Sequence, residues 1–253
     1  MKHTTDIYHL FSPRSESHGI ALARAGFADG ADGTCFELTR TPLDCRTVEV
    51  FRRFVEATPL PKIFCVYRHD EFLGADDEAR MGCLLKAAEA GAYAIDVMAD
   101  LYDPSSDQIS RSAESIRRQK EAIAEIHARG AKAVMSSHIT DHALTADQIL
   151  AHLGAQAERG ADICKLVSFM PTFEDFLEGV KALMRLHDEF DRPWIFLGSG
   201  PFGRMHRFIG PQFGCRIEFA VHDYDGIETY DQPTIRQFRQ AVESVSWEVP
   251  RKA

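Results

Sequence analysis

Nothing in this chain announces a metal centre or a disulfide framework. Its six cysteines, Cys35, Cys45, Cys65, Cys83, Cys164 and Cys215, are scattered, with no CxxC or CxxH pair. Zinc sites draw on ligands at short, regular spacings, so no metal is expected. Cys35, Cys65, Cys164 and Cys215 lie in or beside apolar runs, which reads as buried free thiols in a reducing cytoplasm. Positive charge is also scarce. Lys and Arg number 29 against 38 Asp and Glu, for a net charge of −9. That argues against nucleic acid or an anionic membrane surface as the general partner, while leaving room for a locally basic pocket. The N-terminal stretch "MKHTTDIYHLFSPRSES" lacks a long apolar segment, so neither a signal peptide nor a membrane span is expected. No Pro/Ser-rich linker or low-complexity tract interrupts the 253 residues, and a single domain over 1–253 follows. No GxGxxG follows the first strand-like run, which argues against a dinucleotide-binding doubly wound sheet.

What the chain does contain is a repeat. "AEAGAYAIDVM" (88–98), "HARGAKAVMSS" (127–137) and "AERGADICKLVS" (157–168) each read as a helix end, then Gly-Ala, then a short apolar strand. Glycine stops a helix because it accepts the left-handed cap conformation. The apolar runs are continuous rather than alternating, as in parallel strands covered on both faces. Further strands are expected at Ile7–Phe11, Thr34–Leu38, Lys62–Tyr67, Trp194–Gly198 and Arg216–Val221, and helices lie between them. Eight such units in a chain of this size predict a single-domain (β/α)8 TIM barrel, with its active site at the C-terminal strand ends.

The polar residues at those ends are therefore the candidates. Glu37 closes strand 2, and "CVYRHDE" delivers Arg68, His69 and Glu71 after strand 3. Asp96 lies in strand 4, His138 ends strand 5, and Lys165 sits inside the apolar strand 6. Strand 7 leads into "GSGPFGRMHRFIG", with Arg204, His206 and Arg207, and strand 8 leads into "HDYDGIETYDQ", a candidate lid. The helical histidines His127, His152 and His187 read as surface residues. Lysine is rarely buried, and an amine in an apolar site near other cations tends to lose its proton. It can then attack a ketone and form an imine, whose electron-withdrawing nitrogen acidifies the neighbouring C–H for a histidine to remove. A salt-bridged lysine at the barrel mouth is the plainer alternative, as is a simple phosphate loop for the strand 7 turn. The chemistry favoured is that of a Schiff-base lyase or aldolase acting on a small anionic carbonyl compound, with arginine gripping its carboxylate.

These residues resemble those of the type I 3-dehydroquinate dehydratases of the shikimate and quinate pathways. The similarity is greatest in "VMSSHIT", "GADICKLVSFMP" and "DRPWIFLGSGPFGRMHRFIGPQFGCRIEFA". It implies Lys165 as the imine lysine, His138 as the general acid/base, Arg207 as the carboxylate ligand, and Arg68 and Glu37 as further substrate contacts. It also implies Gln232 in "YDQPTI" as the lid glutamine. A glutamate that supports the histidine is implied near Phe72, and Glu71 beside it is the candidate. Thr39 and His206 depart from the family's pattern. By this resemblance the chain is a cofactor-independent cytoplasmic lyase, and a homodimer is expected. A related class I lyase or aldolase, or a non-catalytic binding homologue, is the alternative.

Overall fold

The computed structural model describes residues 5–224, 231–245 and Val249. Eight strands run in parallel: β1 (Asp6–Phe11), β2 (Gly33–Glu37), β3 (Lys62–Cys65), β4 (Ala94–Met98), β5 (Lys132–Ile139), β6 (Ile163–Phe169), β7 (Trp194–Ser199) and β8 (Ile217–Ala220). Between and after them lie α1 (Glu16–Ala28), α2 (Val48–Glu56), α3 (Asp77–Glu89), α4 (Ala113–Ala128), α5 (Ala146–Glu158), α6 (Phe173–Glu189), α7 (Gly203–Ile209) and α8 (Ile235–Ser244). The sheet order is β7-β6-β5-β4-β3-β2-β1-β8. At the seam between β7 and β8, the Arg216 N–H donates to the Trp194 carbonyl at 2.8 Å, while the Arg216 carbonyl accepts from Asp6 N–H at 3.0 Å. The result is a nearly closed (β/α)8 barrel.

The local reasons are visible in the sequence. Helices α1 to α6 each begin on a Ser, Thr or Asp whose side chain accepts a backbone N–H of the first turn. The repeated Gly-Ala stops α3, α4 and α5 at Gly91, Gly130 and Gly160, with φ of +96°, +81° and +99°. An L residue there would be strained. The outward faces of the strands pack on the helices through apolar side chains. Phe36 of β2 stacks on Phe54 of α2 at 4.7 Å and on Phe64 of β3 at 5.0 Å, and all three are fully buried. Each such ring contributes about 1.5–3 kcal/mol by leaving water.

The expected cysteine burial holds for Cys35, Cys65, Cys164 and Cys215, and Cys83 joins them. One surface expectation needs correcting. His152 of α5 is 8% exposed, because its Nε2 turns inward to the Ser137 hydroxyl at 2.7 Å. Residues 225–230 of the candidate lid lie outside the described residues.

Candidate active site

Alternate residues of β6, Lys165, Val167 and Phe169, line a cavity of about 850 Å³ at the C-terminal ends of the strands. That volume suits a small organic ligand. Successive strand residues face opposite ways, so Cys164 and Leu166 face the helices and Lys165 faces inward. The lysine is 4% exposed. Its Nζ donates to Asp96 Oδ2 at 2.9 Å and to the Tyr67 hydroxyl at 3.0 Å. It also sits 4.9 Å from the centre of the Phe219 ring.

This environment corrects the expectation that neighbouring cations lower the affinity of Lys165 for its proton. Burial is the largest single influence and does push that way, but the Asp96 carboxylate, together with Cys65 and Cys35, outweighs it, and the amine's pKa lies above its ordinary 10.5. The resting group is an ammonium paired with Asp96. The carboxylate is itself held by the hydroxyls of Ser136 and Tyr67, the latter at 3.2 Å.

His138 stands one pleat repeat farther along. The register pairs Lys165 with Ser136 and His138 with Val167, so the two side chains share the inward face diagonally rather than directly opposite. Burial, then the charges of Lys165, Arg207 and His69, hold the imidazole well below its usual pKa, and it is a neutral base at pH 7. Its ring packs edge-on against Tyr67, with centroids 4.7 Å apart. Its backbone N–H donates to Gln108 Oε1 at 2.7 Å, and the Gln108 carbonyl accepts from the Ser137 hydroxyl at 2.7 Å. Gln108 does this from a positive φ of 48°. This bracing of the histidine strand had no signature in the sequence.

Arg207 reaches the cavity from α7. Gly198 and Gly203 let that helix approach β7 closely: a Cβ on Gly203 would lie 2.9 Å from the Gly198 carbonyl carbon. The Arg207 Nε donates to the Gly198 carbonyl at 3.0 Å, and its buried Nη1 has no partner among the described residues. Burial lowers its pKa, and the nearby acids Glu218 and Asp231 oppose that only in part. The other two cations of the strand 7 turn do not join it. His206 is buried against Phe196, and burial followed by the Arg207 charge lowers its pKa to about 3. Arg204 turns to the Tyr224 hydroxyl at 2.9 Å. The cluster of three expected from "GRMHR" thus resolves into a single cavity-facing guanidinium.

Glu37, Arg68 and Gln232 also line the cavity. Glu37 accepts from the Ser12 hydroxyl and from Thr39 N–H at 2.9 Å, yet burial raises its pKa. Arg68 is tethered by Asp100 Oδ2 and the Asp100 carbonyl, each at 2.6 Å, and by Asp77 at 3.2 Å. The side-chain oxygen of Gln232 is buried and unpartnered among the described residues. Glu71 is the exception. Its side chain is 59% exposed and does not line the cavity, although it pairs at 3.5 Å with Arg40, which does. The intervening turn is pinned by Asp70, which accepts from Phe72 and Leu73 N–H and faces Arg46 at 2.7 Å, so Glu71 is carried outward. It cannot brace His138 from there. The residue that reasoning from sequence overlooked is Tyr67, an aromatic hydroxyl in plain view at the end of strand 3.

A family model described as type I 3-dehydroquinase matches residues 42–246. The 3-dehydroquinate dehydratase of Alkaliphilus oremlandii is 33% identical over 96 residues, 38% of either chain. That of Shigella flexneri is 31% identical over 103 residues, 40% of this chain and 41% of its own. The matched stretch thus spans about two fifths of the length of these relatives. Among solved structures, 3-dehydroquinate dehydratase from Geobacillus kaustophilus superposes with a TM-score of 0.82 at 16% identity, covering 95% of this chain and 90% of that one. The type I enzyme from Clostridium difficile, solved with covalently modified comenic acid, gives 0.79 at 16%, covering 96% and 93%.

Proposed function

The chain belongs to the type I 3-dehydroquinase family, and on that premise we propose that it dehydrates 3-dehydroquinate to 3-dehydroshikimate through an imine on Lys165. The observation that carries this reading is a buried amine at the cavity wall, with a neutral histidine one pleat repeat away on the neighbouring strand. Lys165 gives a proton to Asp96, 2.9 Å away, and attacks the C3 ketone. His138 removes a C2 proton, and the electron pair is drawn through the C2–C3 bond onto the imine nitrogen. The enamine then expels the C1 hydroxyl, which leaves as water with the proton His138 holds. Hydrolysis of the conjugated imine releases the product and restores the amine.

Arg207, the one residue of the strand 7 cluster that lines the cavity, is assigned to the substrate carboxylate, which it can grip with two parallel hydrogen bonds. Glu37, Arg68 and Gln232 are assigned to the ring hydroxyls. Glu71 is left without a catalytic role. The substrate is a small anion, and a cytoplasmic setting remains part of this reading.

The test is direct. Incubation with 3-dehydroquinate should produce the ultraviolet absorbance of a conjugated enone, and its absence at enzyme concentrations comparable to substrate would overturn the proposal. One observation favours a second reading, a related cyclic hydroxy-keto acid as substrate. Both Arg68 Nη atoms are already occupied by Asp100 and Asp77. A screen of ring-hydroxyl epimers distinguishes the two.

A further inference from the structure

Forming an imine requires proton movements at nitrogen and oxygen as well as at carbon. Three groups meet at the reacting amine. Lys165 Nζ lies 3.0 Å from the Tyr67 hydroxyl and 2.9 Å from Asp96 Oδ2, and the hydroxyl lies 3.2 Å from that same oxygen. Tyr67 also lines the substrate cavity, with its ring against His138. The phenol is therefore the group that touches the nucleophile, its counter-ion and the space a ketone oxygen would enter.

We propose that Tyr67 is a catalytic residue whose hydroxyl relays protons between the Lys165 amine, Asp96 and the ketone oxygen, making and hydrolysing the imine while His138 works at carbon. This rests on the imine-forming reading given above. The balance closes without any outside acid. The Lys165 ammonium first passes one proton to Asp96. The free amine adds to the carbonyl carbon, the N–C bond forms, and the C=O π pair moves to oxygen. Tyr67 gives its proton to that oxygen and takes one from the nitrogen, leaving a neutral carbinolamine. It then gives a second proton to the hydroxyl and takes the one held by Asp96. The C–O bond breaks, water departs, and the nitrogen lone pair forms the protonated C=N bond. The water carries off the original Tyr67 proton and one from the ammonium, the second ammonium proton refills Tyr67 by way of Asp96, and Asp96 ends as a carboxylate again. Hydrolysis runs the same steps backwards.

His138 is poorly placed for this duty. Among the described residues its ring makes no hydrogen bond to the reacting amine, whereas the Tyr67 hydroxyl lies 3.0 Å from it. Burial, then the Asp96 charge, keeps the Tyr67 phenol protonated far above its usual range. It therefore acts as a concerted relay, giving one proton as it takes another, and not as a free phenolate.

The experiment is rapid quench into borohydride with 3-dehydroquinate, read as the mass added to the intact protein, for the wild type, Tyr67→Phe and His138→Ala. Phenylalanine keeps the ring that packs on His138 and removes only the hydroxyl. Tyr67→Phe should form the trapped adduct roughly 10²- to 10⁴-fold more slowly, the usual worth of a positioned proton donor. His138→Ala should form it readily but not release product. A Tyr67→Phe protein that traps at the wild-type rate overturns the relay and leaves the dehydratase reading intact. A wild type that neither traps nor turns over 3-dehydroquinate overturns that reading, and the relay with it. Should Tyr67→Phe fail to fold, 3-fluorotyrosine at position 67 replaces it. Fluorine changes the acidity of the phenol while keeping its shape, so adduct formation must change in rate at a fixed pH, and an unchanged rate overturns the assignment.

Discussion

Replacing Asp96 by Asn keeps the shape of the side chain and removes one charge from a buried pair. The side chains of Lys165 and Asp96 are only 5% and 1% exposed, so solvent does little to screen them. Removing one partner of such a pair costs about 3–5 kcal/mol, because the other charge stays buried without compensation. At about 2–4 °C of Tm per kcal/mol for a chain of this size, Asp96→Asn should lower Tm by roughly 6–20 °C near pH 7. The pH dependence gives the sharper test. In the wild type the folded Lys165 pKa is above its ordinary 10.5, so the pair stabilises fully below 10.5 and fades as pH rises through the folded value. In Asp96→Asn burial, the largest influence on this amine, loses its main opposition, and the folded pKa falls below 10.5. The penalty is then present below that lowered value and disappears as pH climbs toward 10.5. The Tm gap between the two proteins should narrow steadily from pH 7 to pH 10 by differential scanning calorimetry. A gap that is constant, or that widens with pH, would show that the ammonium is not what Asp96 stabilises.

The remaining predictions concern the cavity wall and the loop beyond it. His138→Ala should lower kcat roughly 10²- to 10⁴-fold in steady-state assays. The loss should be flat with pH near neutrality, because the wild-type imidazole is already neutral there. Arg207→Lys keeps the charge but loses both the bond to the Gly198 carbonyl and the forked donor geometry. The lost contact is worth about 1.5–3 kcal/mol, which is roughly a 10- to 150-fold fall in kcat/KM. Arg204→Ala should cost much less, and the reverse order would mean the anion is held elsewhere. Glu71→Gln should leave kcat/KM and Tm nearly unchanged, since both its side chain and that of its partner Arg40 are exposed enough for solvent to screen the pair; a large loss of kcat/KM would place Glu71 back in the site.

The barrel was legible because its strands are buried on both faces and so read as continuous apolar runs. The Gly-Ala repeat marked where three helices stop, and the structure finds positive φ at each of those glycines. The cavity residues were legible where a strand carries them. Lys165, His138 and Glu37 had only the inward or outward choice that alternation makes. The reasoning ran out where loops and long-range pairs decide. Asp96 and Lys165 lie 69 positions apart on strands separated by β5, and nothing local showed that the acid faces the amine. That contact is the main opponent of burial at the lysine, whose pKa ends raised. Glu71 was misplaced because its position depends on how Asp70 and Arg46 fold the turn. His206 looked like a partner for Arg207 because the two are adjacent in sequence. On α7, however, adjacent residues point about a quarter-turn apart, and His206 faces α6 and the back of β7.

The central claim is that Lys165 is the nucleophile, and one measurement addresses it. Wild-type protein is treated with 3-dehydroquinate and borohydride, digested, and mapped by tandem mass spectrometry, with Lys165→Ala alongside. The account predicts a reduced adduct on the peptide containing Lys165, none in Lys165→Ala, and a rate loss of several orders of magnitude in that variant. An adduct on another lysine, or efficient turnover by Lys165→Ala, would contradict it.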